Sequence, residues 1–450
     1  MKVLALMAVI ACLALPLVAG TGNASAASGP QSQMGWALNV RKMYYKALHY
    51  QFGSPPNYVK AVKWYRKAAA EGNSYSMTNI GMLYGAGLGV PKSYAKALQW
   101  YRMGVAAGDP LADNMIGLAY QHGQGVPQSY AKAMQWFHKA AARGDNHAMN
   151  NIGMLYDGGL GVPRNYAKAL AWYRKSSLAG DARATNNIGT MYSAGDGVPR
   201  NYATALQWYR KAAAAHAAIG MYNVGLAYQT GHGVAQNYSK ALKWYSQSVH
   251  GGYVPAAVAI GEFYEHGDGV ARDYAIAQRC FLIAANLGNS RAMLDIGILY
   301  QTGHGVGRNY AKAMEWYRRA AAAGRASAMY YIGELYNRGQ GVPQDYSKAM
   351  DWWRRAAARG ERGAMNMIGG LYAAGHGVPK SYAKAVKWAR KAANAGDGQA
   401  MINIGVYYQN GLGVARNESK AMDWYRRAVK SANPAVRQAA EQGIRSLQAK

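Results

Sequence analysis

The tetrapeptide Gly-x-Gly-Val occurs ten times between Gly87 and Val414, and its valines, from Val90 and Val126 onward, follow one another at 36 residues without insertion or deletion. A period held that strictly excludes a string of unrelated globular domains. It calls for a supersecondary unit that stacks on copies of itself to bury its apolar faces. The pattern extends backwards in weaker form, with Ser54-Pro55 one period before Val90-Pro91. Lopsided aromatic usage, 36 Tyr and 12 Trp against 4 Phe, is what one repeated phrase produces.

One unit, Asn73 to Gly108, reads as two helices. Helix A places Ser76, Ile80, Gly81, Leu83 and Tyr84 on one side. It stops at Gly87-Leu88-Gly89, where glycine takes up left-handed backbone without a Cβ clash. Helix B follows Ser93, and the eleven equivalent positions, from Asn57 to Asn417, hold only Ser, Asn or Asp, whose short side-chain oxygens cap free N–H groups. Its buried face is Tyr94, Ala97, Leu98, Tyr101 and Val105, with Trp100 at the margin. Ala97 recurs in all eleven B helices, and Gly81 and Tyr84 in all ten internal A helices, which reads as close helix packing. The first A helix, around Met34 to Tyr50, has Tyr45 in place of Gly81; with no preceding unit beside it, close approach is not expected there. Glu418 replaces Tyr94 in the last B helix.

The two ends read differently. Met1 to Ala26, with Lys2, an apolar run from Val3 to Val18 and Ala24-Ser25-Ala26, reads as a cleaved export signal, followed by a linker over 27–33. The apolar run continues past Cys12, which argues against a lipoprotein signal. The array then spans 34–432 as about eleven helix pairs, the first and last degenerate. Residues 433–450 form a capping helix that opens at Asn433-Pro434 and carries Val436, Ala440, Ile444 and Leu447 at helical spacing. Cys12 and Cys280 are the sole cysteines, which excludes a disulfide-rich scaffold and a cysteine zinc site.

The motif Ala148-Met149, Ile152-Gly153-x-Leu155-Tyr156, Gly159-Leu160-Gly161-Val162-Pro163, Tyr166-Ala167-Lys168-Ala169 and Trp172-Tyr173-Arg174-Lys175 resembles the Sel1-like repeats, relatives of the tetratricopeptide repeats. The resemblance covers nearly all of 34–432. It implies an all-α, right-handed α-solenoid of stacked antiparallel helix pairs, with A helices on the concave side and B helices on the convex side. It also implies an adaptor or scaffold role toward a protein or peptide partner in a secretory or envelope pathway. With the leader, this places the protein in the periplasm or medium of a bacterium, or in the secretory lumen of a eukaryote.

No catalytic, metal or cofactor site is expected. The glycine loops lack the preceding strand and the Lys-Ser/Thr ending of a phosphate loop. Ser93-x-x-Lys96, Ser129-x-x-Lys132 and Ser381-x-x-Lys384 match the Ser-x-x-Lys of penicillin-binding enzymes, and cysteine-rich members of the resembled family are associated with β-lactams. Asn or Asp fills the serine position elsewhere, however, which suits a cap and not a nucleophile. His232, His304 and His376 sit in alternate loops too far apart to share a metal, with Asp196 and Asp268 at the same place between them.

Three surfaces remain as candidates. The chain carries 51 Lys and Arg against 21 Asp and Glu, a formal charge of +30. On a helical wheel, 25 of those cations fall on one side of the B helices, at the positions of Lys132, Lys168, Arg174, Lys312, Arg318, Lys348 and Arg354. Such a ridge either solvates the face or attracts an anionic glycan or membrane surface; nucleic acid is not expected for an exported chain. On the A helices, Asn79, Asn151, Asn187, Asn223 and Asn403 share one position, with Asn150 and Asn186 adjacent, and on the implied concave face they would grip a peptide backbone or bond between helices. In the unit at Tyr274–Gly288 the basic positions become Ile276, Leu282 and Ile283, an apolar docking patch unless the helix has rotated to accommodate Gln278.

Overall fold

The computed structural model describes residues 30–448, so the leader read at Met1–Ala26 lies outside the described residues. The described chain holds twenty-three helices and falls into two compact units, one ending at Tyr253 and one beginning at Val254. The first contains α1 (Pro30–Phe52), α2 (Tyr58–Ala70), α3 (Ser74–Ala86), α4 (Tyr94–Ala106), α5 (Pro110–His122), α6 (Tyr130–Ala142), α7 (Asn146–Gly158), α8 (Tyr166–Leu178), α9 (Ala182–Ala194), α10 (Tyr202–Ala214), α11 (Ala218–Thr230) and α12 (Tyr238–His250). The second contains α13 (Val254–His266), α14 (Tyr274–Asn286), α15 (Ser290–Thr302), α16 (Tyr310–Ala322), α17 (Ala326–Arg338), α18 (Tyr346–Ala357), α19 (Arg362–Ala374), α20 (Tyr382–Asn394), α21 (Gly398–Asn410), α22 (Glu418–Val429) and α23 (Pro434–Gln448). Odd numbers up to α21 are A helices and even numbers B helices, packed pairwise in tandem as an all-α solenoid. Residues 30–33, read from sequence as linker, form the first turn of α1.

The boundaries follow from local chemistry. Asn165 Oδ1 accepts from the Lys168 amide at 2.9 Å and Ser93 Oγ from the Lys96 amide at 3.3 Å, so each B helix opens on a side-chain cap. Gly87 ends α3 at φ 73°, in the left-handed region, and its amide bonds the Leu83 carbonyl. The second loop glycine does different work. A β-carbon on Gly161 would meet Tyr130 Cβ at 2.5 Å, so this glycine lets the loop of one repeat press on the start of the preceding B helix.

The A helices are more enclosed than their sequence stripe implies. Along α3 every residue from Ser76 to Tyr84 is buried, because the helix lies between α4 and the preceding pair. The repeated A-helix glycine faces the B helix of its own unit: a β-carbon on Gly153 would lie 2.6 Å from the Tyr173 ring. Tyr45 is thus explained by something other than a missing neighbour. In α1 the exposed Tyr45 points away, and Tyr65 of α2 instead meets Tyr44 at 6.0 Å between ring centroids and donates to Gln51 Oε1 at 2.5 Å.

At the other end Asn433 caps α23 through the Ala435 amide at 3.0 Å, and Val436 and Ala440 are buried.

Candidate partner-binding surfaces

The A-helix asparagines are committed to one another. In the first unit Asn151 Nδ2 donates to Asn114 Oδ1 at 2.9 Å, Asn187 Nδ2 to Asn150 Oδ1 at 2.9 Å, and Asn223 Nδ2 to Asn186 Oδ1 at 2.7 Å. In the second, Asn403 Nδ2 donates to Asn366 Oδ1 at 3.0 Å. Each rung joins residues 37 apart, one period plus one, because the facing side chains of successive A helices are offset by one residue. Of the two roles expected of these amides, the bond between helices is the one seen here, and it spends one N–H of each on register. Asn79 is buried and folds back onto the Tyr75 carbonyl at 2.9 Å.

Beside the ladder, one turn along the same helices, Met154, Thr190 and Leu226 are exposed. A shallow cleft adjoins Leu226, lined by Tyr202, Tyr209, Asn223, Thr230 and His232 among others. Sequence reasoning missed the second unit's counterpart. Asp295 stands at the ladder position but faces Val258 in register, and it gathers charge instead, with Arg291 bonded to Glu262 at 2.7 Å and 3.7 Å from Asp295. Burial, reinforced by Glu262 and Glu265 against Arg291, raises the Asp295 carboxyl to about 7.

Carboxylates at the A-helix starts were also missed, since a cap reads as structure alone. Asp109 accepts from Thr78 Oγ1 at 2.5 Å and from the Leu111 amide at 3.0 Å, and burial raises it to about 6. Burial pushes Asp181 the same way, but hydrogen bonds from His147 and Arg183 outweigh it and hold the carboxyl at about 2.

The B-helix cations named from sequence, Lys132, Lys168, Arg174, Lys312, Arg318, Lys348 and Arg354, are all exposed. They rest on the repeated tyrosines. Lys168 Nζ lies 5.3 Å from the Tyr156 ring centre and Lys312 Nζ 5.3 Å from that of Tyr300, while Arg174 donates to Tyr192 Oη at 3.5 Å and Arg318 to Tyr336 Oη at 3.4 Å. A tyrosine between the cations of two repeats is visible at Tyr84, with Lys96 over its ring and Arg66 on its hydroxyl at 2.7 Å.

On α14 the register is kept: Ala277, Phe281, Ala284 and Ala285 are buried, and Gln278 reaches Tyr300 Oη at 3.4 Å, so the helix has not rotated. Ile283 is 52% exposed, whereas Ile276 and Leu282 are half-buried, which leaves a narrower apolar surface than the three residues promised. The serines of the Ser-x-x-Lys matches accept from backbone amides as caps, as Ser129 does from Lys132 at 3.3 Å. The loop histidines stack on the tyrosine that opens the preceding B helix, His232 on Tyr202 at 4.1 Å and His376 on Tyr346 at 4.7 Å. Among the described residues no three His, Cys, Asp or Glu side chains converge to hold a metal, and no helix is long and apolar enough to cross a membrane.

Comparison with known proteins fits this architecture. The Sel1 repeat model matches eleven times, at 43–73, 74–109, 110–145, 146–181, 182–216, 218–253, 254–289, 290–324, 326–361, 363–397 and 398–433. Among solved structures, the chain is similar to c5321, described as a protective antigen of uropathogenic Escherichia coli strains displaying an SLR fold, with 31% identity over 94% of this chain and 95% of that one at a TM-score of 0.52. It is likewise similar to a Sel1 repeat protein from Oxalobacter formigenes, with 28% identity over 69% of this chain and 90% of that one and a TM-score of 0.52. Comparison with curated proteins gives no match. With the period, the helix pairs and the family model in agreement, this chain belongs to the Sel1 repeat family.

Proposed function

We propose that the protein is a non-catalytic scaffold that holds a protein partner against the A-helix face of its first unit, in the cell envelope or secretory compartment. Sel1 and tetratricopeptide-like repeats generally serve protein–protein interaction, which supports the broad role. The observation that carries the finer reading is the row Met154, Thr190 and Leu226. Met154 and Leu226 stay exposed there, with Thr190 between them, beside an amide ladder that fixes the spacing of the helices bearing them. The export signal read at Met1–Ala26 supports the compartment, and the description of the E. coli relative as a protective antigen is consistent with it.

Affinity capture of the protein from its native envelope fraction tests this. A co-purifying protein retained at high salt and lost from a Met154→Lys/Leu226→Lys variant supports the reading. Capture unaffected by that double substitution, or turnover of nitrocefin abolished by Ser129→Ala, contradicts it.

A further inference from the structure

The positive charge is not spread evenly over the B helices. The six of the first unit, α2, α4, α6, α8, α10 and α12, carry fifteen Lys and Arg and no Asp or Glu. The five of the second unit carry fourteen Lys and Arg but also Glu315, Asp351, Glu418 and Asp423. Ion pairs reach the second unit's ridge, Lys348 with Asp345 at 3.1 Å and Arg354 with Asp351 at 3.9 Å. In the first unit the acids sit on the A helices, in the loops and at helix ends, with Asp109, Asp113 and Asp181 buried. Within the first unit's B helices, therefore, no carboxylate offsets the cations, although Arg41, Lys42, Lys46 and Arg183 place further positive charge on the A helices.

Several aromatic residues beneath this field are already covered by cations. Lys139 lies 4.2 Å from the centre of the Trp136 ring, Lys175 4.7 Å from Trp172 and Lys211 5.1 Å from Trp208, and the Tyr84 and Tyr156 rings carry Lys96 and Lys168. On these five rings a cation already occupies one face, where a base would otherwise stack. The large apolar side chains exposed on these helices, Val59, Met103 and Leu178, belong to three different helices and make no edge that would enter a bilayer. What the surface presents is a row of exposed cations repeated once per 36 residues.

We infer that the B-helix face of the first unit binds a linear anionic polysaccharide, one bearing a carboxylate or sulfate on each sugar or disaccharide, through Lys132, Lys168, Arg174, Lys175 and their neighbours. A polymer engages many such sites at once, so weak single contacts add along the array. The contact is electrostatic and weakens with salt. It is independent of the partner proposed for the A-helix face, because it uses the other helix of each pair.

The test is binding of the purified chain to immobilised heparin, with duplex DNA and phosphatidylglycerol vesicles as competitors. Heparin binding at low ionic strength is expected, lost by moderate salt and weakened at least tenfold in a Lys132→Glu/Lys168→Glu/Arg174→Glu variant. Reversals at the three equivalent positions of the second unit, Lys312→Glu/Lys348→Glu/Arg354→Glu, are expected to weaken it less than threefold. If the first variant fails to fold, acetylation of the wild-type chain answers the same question: heparin is expected to protect Lys132, Lys168, Lys175 and Lys211. No heparin binding, equal losses from the two units, protection confined to the second unit, or tighter binding of DNA or vesicles than of heparin would overturn the inference.

Discussion

Tyr209 packs so tightly on Gly189 that a β-carbon at position 189 would lie 2.7 Å from its ring. The same A-helix glycine meets an aromatic ring in nearly every repeat, but at Gly369 the B-helix residue is Ala389 and the closest atom to an added β-carbon is the Ala385 carbonyl oxygen at 3.3 Å. Gly189→Ala is therefore expected to destabilise the protein by about 1–3 kcal/mol through overpacking. Gly369→Ala is expected to be near neutral or stabilising, because it also removes a helix-interior glycine worth about 1 kcal/mol. Urea unfolding of the two variants checks this, and equal losses would contradict it.

The amide ladder predicts a second asymmetry. Asn187→Ala removes the donor to Asn150 Oδ1, which is buried, and leaving that acceptor unpaired is expected to cost about 1–3 kcal/mol. Replacing both partners, as in Asn150→Leu/Asn187→Leu, is expected to recover most of that loss. A double-mutant cycle on unfolding free energy measures the coupling, and additive effects would contradict the rung.

Asp109 predicts a pH dependence. Its folded carboxyl keeps a proton up to about pH 6, mainly because it is buried, while the unfolded chain loses it near 3.8, so stability falls as pH rises between those values and levels off above. Asn caps the equivalent start at Asn73 and Asn289, so Asp109→Asn keeps the cap and removes the charge. The variant is expected to gain on wild type as pH rises from 4 through 6, by on the order of 3 kcal/mol at neutral pH. Unfolding measured across pH 4 to 8 checks it, and a pH-independent difference would contradict it.

The 36-residue period, the caps from Asn57 to Asn417 and the exposed cations such as Lys168 were legible in the sequence because they depend on contacts within one helix or one turn, and such contacts recur at fixed spacing. A bond between helices was one of two readings for Asn187, but its pairing with Asn150 was not legible, because it spans 37 residues and needs the offset between neighbouring helices, which no single unit encodes. Gly81 was recognised as a packing residue, but its partner, the Tyr101 ring, belongs to the same unit and not to a preceding one. Gln278 looked like a cause of helix rotation because its polar end was given no partner; Tyr300 Oη supplies one across the repeat boundary. The charge cluster at Asp295 escaped notice because it depends on Arg291 and Glu262 meeting from two successive A helices.

The proposed seat of the protein partner is the A-helix face of the first unit. Hydrogen–deuterium exchange of the chain with and without its captured partner tests it most directly. Added protection is expected in α7, α9 and α11, around Met154, Thr190 and Leu226, with the B helices unchanged. Protection confined to α6, α8 and α10, or none in the first unit, would contradict it.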